Sequence, residues 1–89
     1  MSNSIEKTLA ERGPRYGNFE VQALVAQNIK AAFYTGNWCK LAPDQKECLE
    51  MIAVKLSRIL VGDPDYQDSW HDIIGYTKLV EDRLVRDLK

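Results

Sequence analysis

Apolar residues recur along this chain at steps of three and four, which is the spacing of one face of an α-helix. No run of five or more residues alternates apolar and polar positions, as a half-buried β-strand would. The pattern therefore predicts an all-α protein. We expect a short N-terminal helix followed by a three-helix bundle that contains two long antiparallel helices.

The first predicted helix spans Ile5–Arg12, where Ser4 is available as the N-cap. The dipeptide Gly13-Pro14 is expected to end it, because proline interrupts the hydrogen-bond pattern of a helix interior. This boundary divides the chain into an N-terminal helical arm, residues 1–13, and a bundle domain, residues 14–89. The arm is the part that we expect to dock on a partner.

The next two predicted helices begin at recognisable capping positions. Asn18 is placed to cap a helix over Phe19–Tyr34. Pro43 suits the first turn of another helix, in which Asp44 and Glu47 resemble a capping box, and this helix runs to about Val61. Gly62 is expected to close it.

This third helix is apolar on two sides. Met51, Val54 and Val61 lie opposite the main apolar arc, among charged residues. A helix with two apolar sides needs neighbours on both, which a chain of this length barely supplies. The pattern therefore predicts a homo-oligomer, most simply a two-fold dimer. The main arc that we expect to face the core comprises Cys48, Leu49, Ile52, Ala53, Leu56, Ile59 and Leu60.

The fourth predicted helix begins near residues 66–68 and reaches roughly Leu88. Gly75 lies in its middle, where glycine costs about 0.5–1 kcal/mol relative to alanine. We therefore expect a neighbouring helix to pack closely there. The stripe predicted to face the core comprises Trp70, Ile73, Ile74, Thr77, Val80 and Leu84.

Composition narrows the possible partners. The 89 residues carry a formal net charge of -1 and no basic stripe, which argues against binding duplex DNA. No apolar run approaches the length of a membrane helix, and the N-terminus does not resemble a signal peptide. We therefore expect a cytoplasmic protein without a membrane partner, in which Cys39 is a free thiol in a loop and Cys48 a free thiol in the core.

Complete catalytic motifs are missing from the sequence. His71 is the only histidine, and neither of the common glycine-rich phosphate-binding motifs occurs. These features favour a binding protein without a cofactor over an enzyme. The remaining catalytic candidates are carboxylates on shared helix faces that suit Mg²⁺, unless they serve as helix-end or solvent-exposed charges. They are the pairs Glu47 with Glu50 and Asp68 with Asp72.

The segment Glu47-Cys48-Leu49-Glu50 resembles the ExxE half of the all-α nucleoside triphosphate pyrophosphohydrolases of the MazG type. In the second half of that pattern only Asp72 matches, and its acidic partner is displaced. The resemblance implies an alternative function as a Mg²⁺-dependent pyrophosphohydrolase. Lys55, Arg58 or Asp68 would then assist the three matching acids.

Aromatic residues offer a third possibility. Tyr16 and Trp38 are predicted to lie in loops, and with Arg12 and Arg15 nearby they form a candidate stacking platform. Together with Tyr76, they suggest a module that binds or sequesters a nucleotide without turnover. The same aromatic residues serve equally well as a lid over a small core.

A wider pattern comprises Glu11-Arg12-Gly13, Arg15-Tyr16-Gly17, Leu49-Glu50-Met51-Ile52-Ala53 with Lys55, Arg58-Ile59-Leu60, Gly62-Asp63-Pro64 and, most specifically, Asp68-Ser69-Trp70-His71-Asp72-Ile73-Ile74-Gly75-Tyr76. It resembles a family of short phage and prophage proteins that has no assigned biochemical activity. The resemblance implies a phage or prophage origin and a bacterial cytoplasm, and it leaves the chemistry open. Our leading hypothesis is therefore an oligomeric phage accessory protein that binds a host or phage macromolecule.

Overall fold

A computed structural model describes residues 2–88 of the protein, with side chains from residue 4 onwards. Within that range every regular element is helical, so the predicted all-α fold is confirmed. The helices are α1 (Ser2–Tyr16), α2 (Phe19–Ala31), α3 (Pro43–Val61) and α4 (Gln67–Asp87), and a short 3₁₀ turn at Trp38–Lys40 lies between α2 and α3.

Helix α3 is the centre of the bundle, because it packs along α2 on one side and along α4 on the other. Two ion pairs fix the register of α3 and α4: Lys55 Nζ lies 2.8 Å from Asp72 Oδ2, and Arg83 Nη2 lies 2.7 Å from Asp44 Oδ1. The start of α3 therefore meets the end of α4. The predicted pair of long antiparallel helices is confirmed.

The core between these helices is built from short side chains. Among the described residues, the buried apolar ones are Ala26, Cys48 and Ala53, and Ser57 is fully buried beside them. Short side chains let helix backbones approach closely, but they remove little apolar surface from water. Cys48 is buried and Cys39 is exposed, as predicted.

The second apolar side of α3 is partly covered by other helices of the same chain. Met51, Val54 and Val61 are half-buried rather than solvent-exposed, because α3 has a helix on each side. The two-sided pattern of α3 therefore does not require another copy of the chain. Leu60 is the clearest exception to the predicted core arc, since its side chain is 70% exposed.

The rotation of α4 differs from the predicted one. Four of the six residues expected in the core are exposed, with Ile74 63% accessible, whereas Ile73 and Val80 are half-buried. For the four exposed residues the prediction is wrong, because α4 turns Asp72 and Arg83 towards their partners on α3. The residues of α4 that are buried or half-buried are Ser69, Asp72, Ile73, Tyr76, Val80 and Arg83.

The arm helix is longer than predicted. It continues through Gly13 and Pro14 to Tyr16, and the N–H of Gly17 still donates to the Gly13 carbonyl at 2.7 Å. A proline this near a helix end removes one hydrogen bond, to the carbonyl of Ala10, which is exposed to solvent. Ser4 lies inside the helix rather than at its cap.

The predicted ends of α2 and α3 are only partly correct. Asn18 caps α2 as predicted, with its side-chain oxygen accepting from the Val21 N–H at 3.1 Å, but α2 ends at Ala31 instead of Tyr34. Helix α3 starts and ends as predicted. Its capping interaction comes from Gln45, whose side-chain oxygen accepts from the Ala42 N–H at 2.8 Å, so the predicted capping box of Asp44 and Glu47 is wrong.

Two glycines allow the turn before α2 to cross the turn after α3. Gly17 has a φ of 78°, and a Cβ there would overlap the Val61 backbone. A Cβ on Gly62 would overlap the backbone of Arg15 and Tyr16, and the N–H of Asp63 donates to the Arg15 carbonyl at 2.8 Å. This crossing fastens the end of α1 to the bundle.

Gly75, in contrast, has open space around it. Apart from the backbone of its own helix, no atom lies within 4 Å of the position that a Cβ would take at this residue. The expectation of a closely packed neighbour at this position is wrong within the chain. Its conformation is ordinary α-helix, because it lies inside α4.

We predict opposite effects of alanine at Gly62 and Gly75. Gly62→Ala should destabilise the protein by about 1–3 kcal/mol, because the new methyl group meets backbone that cannot move aside. Gly75→Ala should stabilise it by about 0.5–1 kcal/mol, since alanine favours the helix and nothing obstructs it. Urea unfolding of both variants measures the difference. Equal effects at the two sites would contradict the glycine crossing.

Candidate functional site

The glycine crossing brings together a cluster of basic and aromatic side chains that are distant in the sequence. We call it the arginine–tyrosine cluster; its members are Arg12, Arg15, Tyr16, Arg58 and Tyr66. The last turn of α1 supplies the first three, the last turn of α3 supplies Arg58, and Tyr66 immediately precedes α4.

The guanidinium groups of the cluster lie over the tyrosine rings. The central guanidinium carbons of Arg12 and Arg58 are 4.7 and 4.4 Å from the centre of the Tyr16 ring. That of Arg15 is 5.3 Å from the centre of the Tyr66 ring. The two rings meet edge to face, with centres 5.9 Å apart. These are distances at which a guanidinium and an aromatic ring attract each other through a cation–π interaction.

The cluster carries three positive charges, one on each of its arginines. Among residues 4–88, none of these arginines forms an ion pair, and the buried Nε of Arg58 has no hydrogen-bond partner. Asp68 places a negative charge beside the cluster, because its carboxylate accepts from the Tyr66 hydroxyl at 3.1 Å. That carboxylate raises the pKa of Tyr66 above its usual value.

The four acids predicted to bind a metal are not gathered at one place. No group of three or more His, Cys, Asp or Glu side chains within residues 4–88 is arranged to hold a metal ion. Asp72 instead forms the ion pair with Lys55, whose side chain is 11% exposed. Glu47 is exposed, Glu50 is half-buried, and Asp68 lies beside the arginine–tyrosine cluster.

The residues predicted to bind a nucleotide fall into three separate places. Arg15 and Tyr16 lie in the arginine–tyrosine cluster. Trp38 is beyond the other end of α2, where it stacks on Phe33 at 5.6 Å and meets Tyr34 edge to face at 5.5 Å. Tyr16 and Trp38 therefore do not form the single platform that their loop positions suggested. Tyr76 lines a groove between α3 and α4 with Leu79 and Arg83.

Helix α4 carries an uncovered row of large apolar side chains, which we call the α4 stripe. Its exposed fractions rise to 85% at Leu88, and Trp70 donates from Nε1 to the Pro64 carbonyl at 2.7 Å, which fixes one end of the row. Ile5 and Leu9 form a similar exposed pair on α1. The α4 stripe consists of Trp70, Ile74, Leu84, Val85 and Leu88.

Sequence reasoning overlooked Tyr66 as a site residue and assigned Arg12 only a supporting role. Tyr66 follows the Asp63-Pro64-Asp65 turn, and no local motif marks it. The spacing of Arg12, Arg15 and Tyr16 on one helical turn was the available signal. It was obscured by the predicted end of the first helix at Arg12, which placed Arg15 and Tyr16 in a loop.

The structure has no helix within residues 2–88 that combines the length and the apolar character needed to cross a membrane. Comparison of the chain with known protein families, curated proteins and solved structures finds no match. The geometry of the site is therefore the basis on which its function is inferred.

The Lys55–Asp72 pair predicts a loss of stability in acid. The hydrogen bond from Lys55 is the main reason why the pKa of Asp72 lies below 3.8. A carboxyl whose pKa falls on folding stabilises the protein above its unfolded-state pKa, and this contribution disappears as the pH falls through the folded-state pKa. We therefore expect coupling between Lys55→Met and Asp72→Asn at neutral pH that vanishes in strong acid.

Urea unfolding of the two single variants and the double variant, at pH 7 and at about pH 2, measures this coupling. The Asp44–Arg83 pair serves for comparison, because hydrogen bonding to Arg83 also lowers the pKa of the Asp44 carboxyl. Coupling of the same size at both pH values would contradict a contribution from the charged form of Asp72.

Proposed function

We propose that this protein is a non-catalytic interaction module that works as a homodimer, with the α4 stripe as the surface on which the two copies meet. The observation that carries the proposal is the excess of exposed surface. A compact monomer of 10.2 kDa exposes about 5,300 Å², whereas this chain exposes 6616 Å². The difference exceeds the roughly 800 Å² per partner of a standard interface.

The dimensions of the chain support the same proposal. Its Cα radius of gyration is 15.6 Å, against about 12 Å for a compact domain of this length. Large apolar side chains account for the exposed surface, because the core contains mainly alanine, cysteine and serine. A second copy is the occupant that we propose, since a two-fold axis pairs the same apolar row with itself.

The arm helix gives such a dimer a second, separate contact surface. Leu9 lies 62% exposed at the edge of a groove that Tyr16 and Phe19 also line. Apolar residues spaced by four on one helix face are the anchors by which helices bind protein grooves. We propose a host or phage protein as the ligand of this arm, in a bacterial cytoplasm, with the phage origin resting on the residue pattern alone.

The pyrophosphohydrolase alternative lacks a comparable supporting observation. Its three acids, Glu47, Glu50 and Asp72, do not form a group that could hold a metal ion, and Asp72 is held by Lys55. The proposed function therefore rests on surface burial and includes no chemical step.

The dimer proposal predicts different outcomes for two similarly exposed residues of α4. Ile74→Glu should weaken the dimer by about 100-fold or more, because an unpaired charge buried in an interface costs about 3–5 kcal/mol. Leu79→Glu is the matched control: Leu79 is 68% exposed but lies outside the α4 stripe. Sedimentation equilibrium at micromolar concentration should give twice the 10.2 kDa chain mass for wild type and L79E, and the chain mass for I74E. A monomeric wild type contradicts the proposal.

The arm proposal predicts a different pair of results. Leu9→Glu should abolish binding of the partner protein without changing the dimer mass, since Leu9 is outside the α4 stripe. Ala10→Glu, at an exposed neighbouring position on another side of α1, should bind normally. The measurement is affinity capture with each variant, followed by binding of the identified partner in purified form. Equal binding by L9E and wild type would exclude the arm as the contact.

A further inference from the structure

The arginine–tyrosine cluster is separate from the α4 stripe, and it shares Arg12 and Tyr16 with the groove beside the arm. Its composition points to a different kind of ligand. Arg12, Arg15 and Arg58 come from two helices that meet only because Gly17 and Gly62 permit backbone contact. Two of the guanidinium groups lie over the same ring, that of Tyr16. Three like charges are thus held in one small region by the fold.

Holding these charges together without a counter-ion costs free energy, since like charges repel and a buried donor without an acceptor loses its hydration. The Nε of Arg58 is such a donor, because it is buried and has no partner. The adjacent carboxylates form no direct ion pair with these arginines: Asp68 accepts from the Tyr66 hydroxyl, and Asp72, whose pKa the charge of Arg58 also lowers, is paired with Lys55. The N–H groups of the three arginines are therefore left for an external anion.

The geometry of the arginines selects among anions. A guanidinium stacked on a ring keeps its planar set of N–H donors, which matches the oxygen pairs of carboxylates and phosphates. A phosphoryl group presents three acceptor oxygens and a charge of about -1.5 to -2, so it engages several guanidinium groups where a carboxylate engages fewer. A chain of several phosphates neutralises three positive charges better than a single phosphate does.

We infer that the arginine–tyrosine cluster binds the phosphate chain of a small polyphosphate ligand, such as a nucleoside triphosphate or inorganic tripolyphosphate. The tyrosine rings are already occupied by guanidinium groups, so recognition depends on the phosphates and not on a stacked base. The site lies within one chain and involves no hydrolysis.

Isothermal titration calorimetry of the full-length protein, at low ionic strength, tests this inference with three probes. ATP and sodium tripolyphosphate should each bind at one site per chain, with Kd values within about threefold of each other, and adenosine should not bind. Binding of ATP without binding of tripolyphosphate would overturn the inference, because it would show that the base is recognised. Absence of binding by both would overturn it as well.

Substitutions locate the site. Arg58→Gln and Arg12→Gln should each weaken tripolyphosphate binding by about 10- to 100-fold, the value of a hydrogen bond to a charged group. Arg86→Gln is the control, because Arg86 is an exposed arginine of α4 whose ion-pair partner is Asp87. Circular dichroism checks that each variant is folded. If R58Q unfolds, R12Q still tests the site, because Arg12 is exposed on the arm. Equal weakening by R86Q, or unchanged binding by R12Q, would overturn the assignment.

Discussion

The packing of α3 between α2 and α4 through short side chains is the constraint on which the rest of this structure depends. Ala26, Cys48, Ala53 and Ser57 bring the helices close together, but they contribute little apolar volume. A chain of 89 residues has few other ways to shield its larger apolar side chains. Many of these side chains therefore stay exposed or only half-buried, and the large exposed surface and the extended shape follow from that arrangement.

Ion pairing decides which apolar residues remain outside. Asp44 and Asp72 engage Arg83 and Lys55 across the α3–α4 contact, which turns a mixed polar and apolar side of α4 inward. Each pair is partly exposed and adds little stability alone. Their effect is to select one orientation of α4: the helix is held at one rotation about its axis. Part of the side that the hydrophobic pattern predicted to be buried is then exposed as the α4 stripe.

Features determined by nearby residues were predictable from the sequence. The Asn18 cap, the start of α3 at Pro43 and its end before Gly62 depend on local backbone chemistry, and all three are observed. The rotation of α4 was not predictable, because it depends on Asp44 and Arg83, which are 39 positions apart. Helix α1 extends beyond its predicted end at Pro14 for a similar reason, because its last turn is held against the bundle by backbone contact with Gly62. The arginine–tyrosine cluster depends on that contact too, so only its separate members were identifiable.

The attachment of α1 has a consequence for how the molecule communicates between its surfaces. Tyr16 is held jointly by Arg12 of the arm and Arg58 of the bundle, so the orientation of the arm and the arrangement of the guanidinium groups are mechanically coupled. If a bound anion changes the affinity of the arm for its proposed protein ligand by some factor, thermodynamic linkage requires that the protein ligand change the affinity for the anion by the same factor. Through Tyr16, the proposed anion site and the proposed protein contact of the arm would then be linked allosterically.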